Sequence, residues 1–177
     1  MLLALTRLPL ILGGHFFPDG DECILGLMAK HLAEGRQLPV FFVGQRYGLS
    51  LVEAGFAAAA FRMFGVSPVV LKLAMLPLWA LGWVFMVLSV RRWGGERAAL
   101  IAGVVLLFCP AWAEWSMKAR GGYITAFVVA HLCIWLIARM HMDAHVRWTW
   151  GTVVGACLAV IAFAQPFWLI GVLPFLA

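Results

Sequence analysis

Apolar residues run through this chain in blocks separated by short polar breaks, and the block lengths predict its elements. Residues 2–17 are apolar apart from Thr6, Arg7 and His15. At about 16 residues the block falls short of the roughly 20 that a membrane helix needs, so a shortened first span is expected rather than a cleaved leader. Residues 18–48 carry seven charges. Each would cost roughly 2.5 to 3.5 kcal/mol at a bilayer centre, which places the segment at the interface or in water. Within it Ile24, Leu25, Leu27, Met28, His31 and Leu32 recur at helical spacing, Lys30 and Glu34 stand four apart, and Gly35 supplies a stop. That pattern predicts an amphipathic surface helix. Residues 49–64, with Glu53 and Arg62 flanking four alanines, predict a second interfacial helix or a short span.

Longer blocks follow. Residues 69–90 predict a crossing of about 33 Å at 1.5 Å per residue. Residues 91–97 form a basic turn, 98–113 the next crossing with a kink at Pro110, 114–122 a polar patch, 123–138 a further crossing and 139–147 another turn. The block from Trp148 to Ala177 is uncharged and broken at Gln165-Pro166, giving one span and the start of another. The expected fold class is all-α, a polytopic membrane helical bundle with amphipathic juxtamembrane helices. Residues 1–177 form one transmembrane domain, expected to be the N-terminal part of a longer protein because the chain stops inside an apolar run. Alternation puts the loops 18–48 and 114–122 on one side and the turns 91–97 and 139–147 on the other. Each side carries five Lys and Arg, so the positive-inside rule does not orient the chain and only the cluster of Arg91, Arg92 and Arg97 favours a cytoplasmic second side.

Composition sharpens the class. A mean hydropathy of +0.98 with 12% charged residues belongs to polytopic membrane proteins, not soluble domains. The net charge of +5 is scattered in short clusters between apolar runs, which excludes nucleic acid and points to membrane lipids or a phosphate group as partners. Cys23, Cys109, Cys133 and Cys157 form no C-x-x-C pair and read as small apolar residues.

Three stretches carry candidate chemistry. Asp19, Asp21 and Glu22 crowd the start of the first amphipathic helix in a chain with only 8 acids. Helix capping accounts for one or two of them, and Asp21, at the helix start, is the candidate reacting carboxylate. Gln45, Arg46 and Tyr47 lie in a glycine-flanked loop whose simplest role is an interfacial belt with Arg46 reaching to headgroups. Lys118 and Arg120 precede Gly121, Gly122 and Tyr123 at the mouth of a helix. Cations, flexible glycines and helix-start amides would cradle a phosphate, either of a ligand or of a lipid. His131 reads as a buried, hydrogen-bonded histidine, and His141 with His145 lacks the partners of a metal site.

Taken in order, Asp21-Glu22, the amphipathic helix, Gly35, Pro39, the run Gly44-Gln45-Arg46-Tyr47-Gly48 to Ala54, Phe64-Gly65 and Lys118 to Tyr123 resemble the N-terminal part of a GT-C superfamily glycosyltransferase. The group meant is the bacterial relatives of protein O-mannosyltransferases and of the lipid A aminoarabinose transferase. The resemblance implies a multi-pass protein of the bacterial inner membrane with the loops 18–48 and 114–122 in the periplasm. It implies a polyprenyl-phosphate-linked sugar as donor and a lipid, glycan or protein hydroxyl as acceptor. Asp21 would be the general base with Glu22 beside it, and Asp19, Gln45, Arg46, Tyr47, Lys118, Arg120 and Tyr123 would bind substrate. Lys118-Ala119-Arg120 stands where many relatives carry a second acid, with only Glu114 nearby, so the sequence requires no divalent cation or other cofactor. A transporter or a noncatalytic membrane scaffold are the rival classes.

Overall fold

The computed structural model describes residues 2–13, 17–37, 40–45, 48–142 and 148–176. It is an all-α helical bundle. The helices in chain order are α1 (Leu2–Leu12), α2 (Gly20–Ala33), α3 (Leu51–Phe64), α4 (Pro68–Phe108), α5 (Pro110–Trp115), α6 (Tyr123–Met142), α7 (Trp148–Ala164) and α8 (Phe167–Val172), followed by a 3₁₀ turn, Leu173–Phe175. Two of them, α4 and α6, are long and apolar enough to cross a membrane.

Sequence chemistry sets the helix ends. Asp19 caps α2 and Glu22 reaches back to the Asp19 N–H, a reciprocal capping box. Ser67 caps α4 by accepting from the Val70 N–H at 3.1 Å, and Pro68 occupies the first turn, where its missing N–H costs nothing. The expected turn at 91–97 shrinks to one residue. Helical backbone continues on both sides of Gly95, whose φ of 80° is open to glycine at no steric cost. The chain folds back there: the Trp83 indole donates to the Gly103 carbonyl at 3.0 Å, and a Cβ on Gly103 would touch Val87. Thus α4 is a hairpin of two antiparallel arms. The second arm, residues 96–108, is about 20 Å long at 1.5 Å per residue. The expected crossing over 98–113 is cut short because Cys109 is extended and Pro110 opens the separate helix α5.

Among the described residues of the first apolar block, an expected short span of 16 residues, α1 covers 11, Leu2–Leu12. The last block breaks at Gln165-Pro166 as expected, but α8 holds only six residues.

One core lies where α2, α3 and α4 meet the first half of α6, around Leu25, Met28, Phe61, Met75, Trp79 and Phe127. A second joins α6 to α7 and α8. Gly82 lets α4 approach α6, since a Cβ there would sit 2.4 Å from the Phe127 ring.

Candidate functional site

The three acids at the start of α2 are sorted by helix geometry, because successive residues point about 100° apart. Glu22 turns into the protein and is 1% exposed. Its carboxylate takes the Lys72 ammonium at 2.8 Å and the Ala119 N–H at 3.1 Å, besides the Asp19 N–H at 3.2 Å. One side chain therefore ties α2 to α4 and to the 116–122 segment.

Asp19 faces that segment instead. Its Oδ1 accepts from the Glu22 N–H at 3.0 Å, and its Oδ2 accepts from Nε and Nη2 of Arg120, the former at 3.1 Å. Lys118 Nζ stands 3.9 Å from the same oxygen and 2.7 Å from Glu114. Partial burial pushes the Asp19 carboxyl up. The hydrogen bonds from Arg120 and the Glu22 N–H, with the charges of Arg120 and Lys118, more than reverse this and hold it below the usual range. The hydrogen bond to Asp19 raises Arg120 in turn.

Asp21 is the most open of the three. Its side chain is 44% exposed and lies 4.0 Å from Arg120 Nε. The cap and the buried pair thus take Asp19 and Glu22 and leave Asp21 at the surface beside a cation.

Lys118 and Arg120 also converge on one indole, 5.5 and 5.4 Å from the Trp115 ring centre. Trp115 in turn meets the Tyr123 ring at 5.4 Å. Both rings help line a cavity of about 400 Å³ with Trp79, Trp112, Phe127 and Trp168. An aromatic chamber therefore shares two wall residues with the charged cluster.

One amide of the expected helix-start phosphate cradle has a partner within the protein. The amide of Thr125, in the first turn of α6, already donates to Glu53 at 2.9 Å, and the Thr125 hydroxyl donates to the same carboxylate at 2.7 Å. The anion at this helix terminus is the protein's own. Nor are the glycines loose: Gly121 packs on the Phe42 ring, and Gly122, at φ 78°, lies against the carbonyls of Leu49 and Ala164. The two cations are held by acids of the protein as well, Arg120 by Asp19 and Lys118 by Glu114.

The structure brings Asp19, Asp21, Glu22, Lys118, Arg120 and Tyr123 to one end of the bundle. Gln45 is exposed on the loop that buried Phe42 anchors against Gly121, its N–H donating to the Phe42 carbonyl. Arg46 and Tyr47 lie outside the described residues. Among the described residues no group of three or more His, Cys, Asp and Glu could hold a metal ion.

Sequence reasoning missed Lys72, Glu53 and Thr125. The signal was present: a lone charge inside an apolar helix must find a partner, because burying it bare costs several kcal/mol. Comparison with protein-family models, with curated proteins and with solved structures finds no match.

Proposed function

We propose that the chain is the donor-handling part of a multi-pass, GT-C-like membrane glycosyltransferase that moves a sugar from a polyprenyl phosphate to an acceptor hydroxyl. In this reading α4, α6 and α7 lie in the bilayer, while α2, α3 and the 116–122 segment sit at its outer, periplasmic surface. The observation that carries the proposal is the junction of three features: a half-exposed carboxylate at Asp21, the cations Lys118 and Arg120, and an aromatic cavity that Trp115 and Tyr123 help line.

Each feature fits one part of the reaction. Asp21 takes the proton of the acceptor hydroxyl as its oxygen attacks the anomeric carbon. The bond from that carbon to the phosphate oxygen breaks, and the lipid phosphate leaves with an added negative charge. Lys118 and Arg120 neutralise that charge. Aromatic faces suit both the C–H surface of a sugar and the first units of an isoprenoid chain. A single base suffices for a displacement with inversion.

The test is donor kinetics in proteoliposomes holding the full-length protein and a polyprenyl-phosphate sugar. Lys118→Ala and Arg120→Ala are expected to raise KM for the donor and lower kcat, and the double variant to lose turnover. Unaltered donor kinetics in the double variant would remove the phosphate role and favour a scaffold.

A further inference from the structure

Glu53 has no part in the reaction just described, yet it is the most completely enclosed carboxylate among the described residues, at 0% exposure. It lies in the first turn of α3, outside the proposed spans, and both oxygens are used: Oε1 by the Thr125 N–H and Oε2 by the Thr125 hydroxyl. No cation pairs with it among the described residues. On α4, Lys72 is committed to Glu22 of α2. Elsewhere on α2, Asp21 faces Arg120 and Lys30 pairs with Glu34, while His31 lies in the last turn. On α3 itself Arg62 donates to the Leu32 and Ala33 carbonyls at the far end. On α6, the Tyr123 ring meets Trp115 at a tilt of 38° and the His131 ring bonds the Phe127 carbonyl.

We infer that Glu53 is a proton-responsive positioning residue: it clamps the first turn of α6 through Thr125 and so sets the 118–123 segment that presents Lys118 and Arg120. The segment has little freedom of its own, with Gly121 seated on Phe42 and Gly122 against Leu49 and Ala164. Loosening the Thr125 anchor therefore shifts the segment as a unit. When neutral, the acid keeps one oxygen for the Thr125 N–H and turns its O–H on the hydroxyl. When ionised, it is a buried charge stabilised by the Thr125 N–H and hydroxyl and by the N–H groups of Glu53 and Ile124, with desolvation outweighing them all.

Burial raises the Glu53 carboxyl to about 7 from a reference value of 4.5, against the opposing hydrogen bonds from Thr125. The folded state then holds more protons than the unfolded chain between those values. The clamp is strongest below pH 4.5, weakens as pH rises from there to about 7, and is constant above it. The clamp and its titration stand apart from sugar transfer; only the consequence for donor binding rests on the proposed activity.

The experiment is amide exchange of the 117–125 region in the full-length protein in lipid nanodiscs, read as the ratio of wild type to Glu53→Gln from pH 5 to 9. Opening in wild type is expected to gain about tenfold on the Gln variant between pH 6 and 8, most of it below about 7, where the one-proton dependence levels off. Thr125→Val, which removes one donor to the ionised form, is expected to move the midpoint upward. Infrared difference spectra of the carboxylic acid band in wild type and Thr125→Val give the folded-state midpoint directly, at the pH where the exchange ratio levels off. A ratio that stays flat, or a midpoint that Thr125→Val leaves in place, would overturn the inference. An intact profile in a protein that transfers no sugar would support the clamp and sink the enzyme reading alone.

Discussion

Asp21 and Glu22 are adjacent carboxylates on the same first turn, yet the fold uses them in opposite ways. Glu22 is sealed among Lys72, Ala119 and the Asp19 N–H, where its charge is spent on joining three segments. Asp21 looks outward, beside the guanidinium of Arg120. A helix rotates neighbours by about 100°, so one acid becomes interior and the other remains available to a ligand. Abundance of acids at a helix start is thus a poor guide to chemistry until each one's partners are known.

The comparison can be broken most severely from the buried side. Lys72→Ala leaves the Glu22 charge unpaired, and a loss of about 3 to 5 kcal/mol is expected in unfolding measurements of the detergent-solubilised protein. The double change Glu22→Leu with Lys72→Met is expected to recover most of that loss, because it removes both charges together. Recovery of nothing would mean that the Ala119 and Asp19 bonds, not the ion pair, hold the junction.

Gly82→Ala tests the packing beneath the site. Its new Cβ would lie 2.4 Å from the Phe127 ring. A loss of about 1 to 3 kcal/mol is expected for this overpacking, with a reshaped aromatic cavity. Asp19→Ala removes the α2 cap and is expected to cost about 0.5 to 2 kcal/mol. Its larger effect falls on Arg120, freed from its partner, and a changed donor KM is the readout. At the far turn, Arg91 and Glu96 form an exposed ion pair, so Glu96→Gln is expected to alter stability by less than about 1 kcal/mol.

What the sequence makes legible follows from range. The capping box and the Gly35 stop are local signals, and α2 appears where its acids and apolar spacing put it, from Gly20 to Ala33. The Arg91–Arg97 turn is local too, although hydropathy alone could not show that one glycine reverses α4. Glu53 and Thr125 are 72 residues apart, and Glu22 and Lys72 are 50 apart. No spacing rule connects such pairs. The glycines before α6 mislead for a related reason: read alone they mean freedom, whereas Phe42, Leu49 and Ala164 use their missing side chains for close contact.

The most direct test sets the two neighbours side by side in the full-length protein, measuring sugar transfer from a polyprenyl-phosphate donor together with the unfolding midpoint. Asp21→Asn is expected to keep the wild-type midpoint and lose about 10² to 10⁴ in turnover, the span of a positioned base. Glu22→Gln is expected to lower the midpoint by leaving Lys72 unpaired. An Asp21→Asn protein that transfers sugar at the wild-type rate would contradict the assignment of Asp21 as the base.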